Sequence, residues 1–320
     1  MRLRSLYVSI GTAGVLGLAQ VPMAVAPTTA YLMLGGRCTM NCAFCAQARD
    51  SKAGLTELSR VTWPLFPLDL VCDRLALAEE QGALRRVCIQ VTAGRQAYQE
   101  TLDAVQRIRQ ATTLPLDTAI LPANMAQVDA LIAAGVDHIG FGLDAACERV
   151  FAAVKGPHWR RVIDMIVQTA RRFPRRVALH LIVGLGETEQ ELVARTFWAH
   201  RLGAQVGLFA FTPLRGTPLA GRPQPPLAQY RRMQAARWLI VHHNAPLECF
   251  TFDDGGALID IALENWPDLL AGGRAFRTSG CPDCNRPFYN ERPGGTMYNY
   301  ARPLTPDEAR RALDEMEDGH

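Results

Sequence analysis

Seven short apolar segments, separated by longer helical patterns, constrain the fold of this chain more than any other feature. In chain order they are TTAYLML (28–34), RVCIQVT (86–92), PLDTAIL (115–121), HIGFGLD (138–144), VALHLIV (177–183), VGLFAFT (206–212) and LECFTF (247–252). Nearly continuous apolar strands that alternate with helices are typical of a parallel sheet covered on both faces. Six or seven such units predict an α/β fold, a full or partial TIM-type (β/α) barrel.

The segments between these strands show helical periodicity, and glycines close three of them. Gly82, Gly135 and Gly203 stand where the C-terminus of a helix favours a left-handed residue. The sequence also allows one more strand, near residues 55–60 or at the end of the chain, and predicts a short polar helix at 306–317. These patterns place the loops that follow the strands at one end of the barrel, where the chemistry of such barrels lies.

Composition changes divide the chain into three parts. After Arg2 and Arg4 the first segment is uncharged and mostly apolar, the middle carries the strand–helix repeats, and the end is rich in glycine, proline and arginine. We expect both end segments to cover the barrel mouth. The predicted parts are an N-terminal extension (1–27), the barrel (28–255) and a C-terminal tail (256–320).

Charge and hydropathy favour a cytoplasmic protein without a nucleic-acid or membrane partner. The net charge of the 320 residues is only +3, and the basic residues are arginine except for Lys52 and Lys155. Residues 5–36 carry no charge and contain MAVA before Pro27, which imitates a signal peptide. Glycines and a proline interrupt that stretch, however, and its continuous apolar part is shorter than the ~20 residues of a membrane span.

Nine cysteines, five of them clustered, indicate metal ligation. Cys38, Cys42 and Cys45 lie within CTMNCAFC, and Cys281 and Cys284 form CPDC. An odd, clustered set argues against a disulfide framework. Three thiolates within eight residues suit three irons of a cubane cluster and leave its fourth iron open to a small ligand. A zinc knuckle and chance spacing are the alternatives.

The spacing CxxxCxxC in a barrel, with the aromatic Phe44 before its last cysteine, resembles the radical S-adenosylmethionine (radical SAM) enzymes. The resemblance implies a [4Fe-4S] cluster on Cys38, Cys42 and Cys45, with S-adenosylmethionine on the fourth iron and Phe44 facing its adenine. Reductive cleavage would give a 5′-deoxyadenosyl radical. GFGLD, IVGLGETE and the P-x-x-GTPL turn at 213–219 further resemble the biotin and lipoyl synthase branch.

That branch implies roles for several polar residues. Asp144 would accept hydrogen bonds from the cofactor ribose, Gln90 and Thr92 would line the cavity, and GLGET would supply backbone contacts and Glu187. A carboxylate at the start of a helix, stabilised by the helix dipole, is the alternative for Glu187.

The cysteine pattern departs from that of biotin synthase, which holds a second cluster with cysteines on three strands and an arginine. Ala178 occupies one of those positions, DTAIL lacks another, and Cys88 alone remains. The run TSGCPDCNRPFYNERPGG (278–295) instead resembles subunits of the two-component, archaeal-type lipoyl synthases. An auxiliary Fe-S cluster, of the [4Fe-4S] type, on Cys281 and Cys284 would then be the source of inserted sulfur.

Further ligands of that cluster have to come from elsewhere in the chain. Cys88 is the first choice because it shares a strand face with Gln90 and Thr92, and Cys249 and Ser279 are further candidates. A lone strand cysteine is also a common small apolar core residue. For CPDC itself, a zinc half-site and a redox dithiol remain open.

The resemblance implies a radical SAM sulfurtransferase that inserts sulfur at C6 or C8 of an octanoyl chain. Expected partners are a homologous second lipoyl synthase subunit, an octanoylated lipoyl carrier protein or peptide, and an electron donor such as ferredoxin or flavodoxin. A biotin-synthase-like enzyme acting on a free small molecule is the first alternative. A non-catalytic Fe-S redox protein is the second.

Overall fold

The computed structural model describes residues 3–292 and 294–317, and a sheet of eight strands forms its centre. The strands are β1 (Ser5–Val8), β2 (Thr29–Leu34), β3 (Glu57–Leu58), β4 (Val61–Thr62), β5 (Leu65–Pro67), β6 (Arg86–Val91), β7 (Leu116–Ala119), β8 (His138–Asp144), β9 (Val177–Val183), β10 (Gln205–Ala210), β11 (Phe250–Phe252) and β12 (Leu258–Ile261). The central sheet has the order β10-β9-β8-β7-β6-β2-β1-β5. Its six strands from β10 to β2 are parallel.

In the described part of the chain, ten α-helices accompany the strands. They are α1 (Ile10–Val15), α2 (Leu68–Glu80), α3 (Ala97–Ala111), α4 (Met125–Ala133), α5 (Glu148–Lys155), α6 (Trp159–Arg172), α7 (Glu189–Arg201), α8 (Leu227–His243), α9 (Trp266–Leu270) and α10 (Pro306–Asp314). Those from α2 to α7 lie in the connections between parallel strands. Gly82, Gly135 and Gly203 follow the ends of α2, α4 and α7 with φ of 65°, 105° and 71°, so the predicted helix ends are confirmed. None of the helices among the described residues is both long and apolar enough to cross a membrane.

Along each parallel strand, successive side chains alternate between two environments. On one parity, side chains such as Leu32, Ile89 and Leu181 are fully buried in the apolar core. On the other parity, side chains such as Cys88 and His180 line a cavity enclosed by the curved sheet. Burial of the core side chains stabilises the fold, and the side chains that line the cavity form the candidate functional site.

The sheet is open, because β10 and β5 are its two edges. Six parallel strands with helical crossovers and no closing pair form a partial TIM-type barrel, which confirms the predicted fold class. The C-terminal tail lies along the open side. The Leu208 N–H of β10 donates to Ser279 Oγ at 2.8 Å, and the Thr28 N–H before β2 donates to Asn285 Oδ1 at 3.0 Å.

The predicted seventh barrel strand needs correction. Residues Leu247–Cys249 form a 3₁₀ turn, and β11 pairs antiparallel with β12 in a separate hairpin. The sequence DDGG (253–256) supplies the tight turn that folds these two segments onto each other. The weakly predicted strand near residues 55–60 is present as one arm of the β3–β4 hairpin.

The N-terminal segment differs from the expected cover over the mouth. β1 pairs antiparallel with β2 and with β5, so this segment extends the sheet. The tail, by contrast, reaches the mouth, where the Ser59 hydroxyl donates to the Tyr289 carbonyl at 2.8 Å. The three-part division remains a prediction, and its first two and last three residues lie outside the described part of the chain.

Candidate functional site

One cavity of about 1050 Å³ occupies the concave side of the sheet, and six cysteines line it. The first cysteine group comprises Cys38, Cys42 and Cys45, and the second cysteine group comprises Cys88, Cys281 and Cys284. The first group follows the carboxyl end of β2, whereas Cys88 lies in the middle of β6. Both groups therefore face the same enclosed space at different depths.

Backbone hydrogen bonds fix the loop that carries the first cysteine group. The Cys38 N–H donates to the Gln47 carbonyl at 2.9 Å, and the Cys45 N–H donates to the Cys42 carbonyl at 3.1 Å. The Ala93 N–H, at the end of β6, donates to Cys38 Sγ at 3.2 Å. The loop backbone and the Cys38 thiol are thus held next to the carboxyl end of β6.

Burial strongly perturbs two of these thiols. It raises the pKa of Cys42 to about 12 and that of Cys45 to about 11, and the Lys155 ammonium opposes the increase in both. The Cys42 and Cys45 thiols therefore hold their protons at neutral pH when no metal is bound. Because thiolates are the metal ligands, loading this site releases protons.

A buried ion pair lies beside the first cysteine group. Asp144 ends β8 with a φ of 64°, and its Oδ2 lies 2.5 Å from Lys155 Nζ. Lys155 also donates to the Gly142 carbonyl. The exposed fractions of the two side chains are only 15% and 7%. The pair fixes the direction of the Asp144 carboxylate, which has a second oxygen for a ligand.

The other residues predicted to bind the cofactor differ in position. Phe44, Gln90 and Thr92 all line the cavity. Gln90 Nε2 donates to Cys88 Sγ at 3.1 Å, and the Thr92 hydroxyl donates to the Gly36 carbonyl at 2.9 Å. Their roles toward a cofactor remain predictions.

Glu187 lies outside the group of cavity-lining residues. Its carboxylate accepts from the Gly184 N–H at 2.6 Å and the Leu185 N–H at 3.0 Å, and only 7% of the residue is exposed. These two backbone hydrogen bonds occupy the carboxylate, which thereby stabilises the GLGET turn. The structure does not bring it to the predicted cofactor position.

The tail brings its two cysteines to Cys88. Burial raises the pKa of both Cys88 and Cys281, and neighbouring acidic groups, Asp117 and Cys284 among them, raise both further. The fold thus brings three thiols from β6 and the CPDC turn to the lining of one cavity. Their role as ligands of a cluster remains a prediction.

Tyr31 and Arg286 fix Cys284 within this group. The Tyr31 hydroxyl lies 3.3 Å from Cys284 Sγ and accepts from the Arg286 N–H at 3.0 Å. The Arg286 guanidinium lies 4.0 Å from the centre of the Phe209 ring and 3.7 Å from the same sulfur. Arg286 therefore faces the cavity.

Two other predicted ligands are placed differently. Ser279 precedes the CPDC turn, and its hydroxyl oxygen accepts the Leu208 N–H, so it anchors the tail to β10. Cys249 ends the 3₁₀ turn before β11, is 6% exposed and packs in the apolar core outside the cavity lining. The structure does not bring Cys249 to the second cysteine group.

Comparison with known proteins gives the family of the chain. The model of the radical SAM superfamily matches residues 32–197, just over half of the 320 residues. The matched region begins in β2, includes the first cysteine group and ends in α7. The chain belongs to the radical SAM superfamily.

Several relatives of this radical SAM chain are biotin synthases. It is 31% identical over 193 residues to the biotin synthase of Pelotomaculum thermopropionicum, which is 59% of this chain and 58% of that protein. It is 30% identical over 211 residues to that of Heliobacterium modesticaldum, covering 64% and 62%. The match therefore spans about three fifths of the length of these relatives.

Solved structures show the same fold at low sequence identity. The hydrogenase maturase HydG superposes with a TM-score of 0.55 at 12% identity, over 67% of this chain and 50% of that one. Methylornithine synthase (PylB) superposes with a TM-score of 0.52 at 14% identity, over 65% and 62%. These similarities extend to the fold of the barrel.

Radical SAM membership implies a [4Fe-4S] cluster and S-adenosylmethionine, and the residues present fit both. Among the described residues, no three His, Cys, Asp or Glu side chains converge on the position of a single metal ion. A cubane does not require such convergence, because each thiolate binds a separate iron. Cys38, Cys42 and Cys45 would hold the cluster, and Lys155 offsets part of the negative charge of their thiolates.

Sequence reasoning missed two residues of the site. Lys155 pairs with Asp144, and Asp117 is the register partner of Cys88 on the neighbouring strand. A signal existed for Lys155, because lysine is otherwise almost absent from this arginine-rich chain. No comparable sequence signal marks Asp117, whose position beside Cys88 depends on strand register.

Proposed function

We propose that this chain is a radical SAM sulfurtransferase of the lipoyl synthase type, acting on an octanoyl chain of a lipoyl carrier protein or peptide. The observation that supports this most is the second cysteine group. Cys88, Cys281 and Cys284 line the same cavity as the radical SAM cysteines. A sulfur-inserting enzyme needs a sulfur source within reach of the carbon from which hydrogen is removed, and an auxiliary cluster on these thiols would supply it.

The cluster of the first group and S-adenosylmethionine, when bound, supply a carbon-centred radical that abstracts hydrogen. The protein side chains then have to position the substrate between the two groups. Phe209 lies 5.6 Å from the ring of Tyr289 and 5.2 Å from that of His180, both in edge-to-face contact. With Met33 and Ile182 they give the cavity an apolar wall. This wall favours an acyl chain and keeps water from the reacting carbon.

The arginines at the cavity mouth favour a carrier protein with an acidic surface as the molecule to which the octanoyl chain is attached. Arg95 and Arg161 are exposed and line the mouth. Arginine binds carboxylates through two parallel N–H groups, so it suits the acidic surface of a carrier protein. The proposal also includes a homologous second subunit and a small electron donor such as ferredoxin or flavodoxin.

A biotin-synthase-like enzyme with a free small-molecule substrate is the second candidate. It is favoured by the two biotin synthases that are 30% and 31% identical to this chain. The side chains facing the cavity argue against the usual biotin synthase arrangement, since Ala178 and Asp117 line it at the strand positions next to the predicted cluster. The two candidates differ in the size of the substrate and in the need for a carrier.

Product analysis separates the candidates. Anaerobically reconstituted protein, alone and with a homologous subunit, is given S-adenosylmethionine, a reductant and an octanoyl-lysine peptide. We expect 5′-deoxyadenosine together with a peptide that has gained sulfur, both measured by mass spectrometry. The double variant Cys281→Ala/Cys284→Ala should still form 5′-deoxyadenosine but no thiolated peptide, and Cys38→Ala should form neither. Sulfur insertion into a free small molecule but not into the peptide would favour the second candidate.

A further inference from the structure

We propose that Asp117 is a fourth protein ligand of the auxiliary cluster and completes the site that Cys88, Cys281 and Cys284 begin. This inference rests on the proposed function, because it requires an auxiliary cluster on the second cysteine group. It adds an oxygen ligand that the cysteine pattern of the sequence does not indicate.

The position of Asp117 in the sheet is the first support. Asp117 on β7 is the register partner of Cys88 on β6, so the two side chains are neighbours on the cavity side of adjacent parallel strands. Cys281 of the tail lines the same cavity, and burial together with the Asp117 carboxylate raises the pKa of its thiol. Asp117 thus lies beside Cys88 on the barrel wall and faces the cysteines of the tail.

The hydrogen bonds of Asp117 are the second support. Arg86 Nη1 donates to both carboxylate oxygens, at 2.8 Å and 2.9 Å, and His138 Nδ1 lies 2.9 Å from Oδ1. A carboxylate accepts about four hydrogen bonds or metal bonds, so these partners leave acceptor capacity on Oδ2. Carboxylates that bind metals are commonly oriented by such outer partners.

Arg86 also ties the carboxylate to the CPDC turn. Its Nε donates to the Pro282 carbonyl at 3.0 Å, while its Nη1 holds Asp117. One rigid guanidinium therefore sets the distance between the strand carboxylate and the tail cysteines. Only 5% of Arg86 and 3% of Asp117 are exposed, so water does not compete for this arrangement.

The charge pattern of the cavity is the third support. Among the described residues that line it, only Asp117 and Asp144 carry carboxylates, and Asp144 is committed to Lys155 beside the first cysteine group. Asp117 is therefore the carboxylate of the cavity wall that lies beside the second cysteine group. Carboxylate binds iron as a harder ligand than thiolate, so the corner that it holds would be chemically distinct.

The test isolates the auxiliary cluster in the full-length chain. In the background Cys38→Ala/Cys42→Ala/Cys45→Ala, only the second cysteine group can hold iron. Asp117→Asn, Asp117→Cys and the control Asp137→Asn are added to it. Asp137 also pairs with an arginine, at 2.6 Å from Arg109 Nη2, but lies outside the cavity lining. Iron content, Mössbauer spectra and EPR spectra of the reduced and mildly oxidised proteins are then recorded after anaerobic reconstitution.

We expect about four irons per chain in the background and in the Asp137→Asn control, as for a cubane. Asp117→Asn should lose one iron on mild oxidation and show the EPR signal of a three-iron cluster. Asp117→Cys should keep about four irons with a changed EPR spectrum. Both variants remove the carboxylate partner of Arg86. If only the Asp117→Cys variant keeps its iron, the side chain at this position acts as a ligand and not through packing.

Two other results overturn the inference in distinguishable ways. If the background binds iron and its spectra are the same in all three variants, Asp117 is no ligand, while the auxiliary cluster stands. If the background binds no iron although it is folded by circular dichroism, the auxiliary cluster itself is absent and the proposed sulfur source is lost with it. If the Cys38→Ala/Cys42→Ala/Cys45→Ala background does not fold, the same Asp117 variants are compared in the otherwise unchanged chain.

Discussion

Lys155 is a buried lysine in a chain whose other basic side chains are nearly all arginine. It lies beside Cys42 and Cys45 and pairs with Asp144 at 2.5 Å. Its compact ammonium fits between a carboxylate and two cysteines where the wider arginine fork would not. The charge balance at the first cysteine group therefore depends on a single residue of unusual type for this protein.

Replacing Lys155 by methionine keeps the side-chain volume and leaves Asp144 as a buried charge without its partner. We expect Lys155→Met to lower the free energy of unfolding of the metal-free protein by about 3 kcal/mol, measured by urea denaturation. The control Lys52→Met changes the other lysine, which is exposed, and should stay within about 0.5 kcal/mol of the wild type. Adding Asp144→Asn should recover part of the loss. Equal effects of the two lysine changes would contradict the ion-pair assignment.

His180 makes the stability of the metal-free protein depend on pH. Burial lowers its pKa to about 4, so the folded protein binds the proton more weakly than the unfolded chain. Its stabilising contribution is therefore present above pH 6.5 and is lost as the pH falls from 6.5 toward 4. Between pH 7 and pH 5 we expect a loss of about 2 kcal/mol that His180→Asn removes, measured by urea denaturation at each pH. The same pH dependence in wild type and variant would contradict this assignment.

At the scale of elements, the tail joins the two sides of the open barrel. Asn285 accepts the Thr28 N–H beside β2, and Asn290 Nδ2 donates to the Ala210 carbonyl at the end of β10. Arg286 lies between these anchors and binds the carbonyls of Leu208 and Ser279. The tail therefore replaces the strands that would close a full barrel, and it carries two cysteines into the cavity.

Arg286→Lys tests how firmly the tail is held. Lysine keeps the charge but loses the planar fork and the stacking on Phe209. A charge-assisted hydrogen bond contributes about 1.5–3 kcal/mol, so hydrogen exchange of segment 278–290 should accelerate roughly 10- to 100-fold, as measured by mass spectrometry. Arg292→Lys, at an exposed arginine of the same tail, should leave the exchange unchanged. Unchanged exchange in the Arg286 variant would show that the asparagine anchors suffice.

Six barrel strands could be predicted from the sequence because each is an apolar run buried on the core side. The run 247–252 has the same composition, but the DDGG turn pairs it with β12, and apolar content alone does not distinguish these outcomes. The sequence does not indicate β1, because its short apolar run continues without a break into the uncharged residues of α1. The first cysteine group is local in sequence and was predictable. Asp117 depends on the register of β6 and β7, which a single sequence does not state.

At the scale of the whole molecule, the barrel and the tail together build one cavity with two cysteine groups. Neither part alone contains the second cysteine group, because Cys88 lies on β6 and its neighbours Cys281 and Cys284 lie on the tail. A radical SAM barrel that has its own sulfur source would need both. We therefore propose that this chain holds two clusters.

Iron and sulfide content of anaerobically reconstituted protein tests that claim most directly. We expect near eight irons in the wild type and near four in Cys281→Ala/Cys284→Ala, since each cubane holds four. The control Cys72→Ala/Cys249→Ala removes two cysteines that are buried outside the cavity and should keep near eight. Near four irons in the wild type and in both variants would mean that the tail holds no cluster, and would contradict sulfur insertion by this chain.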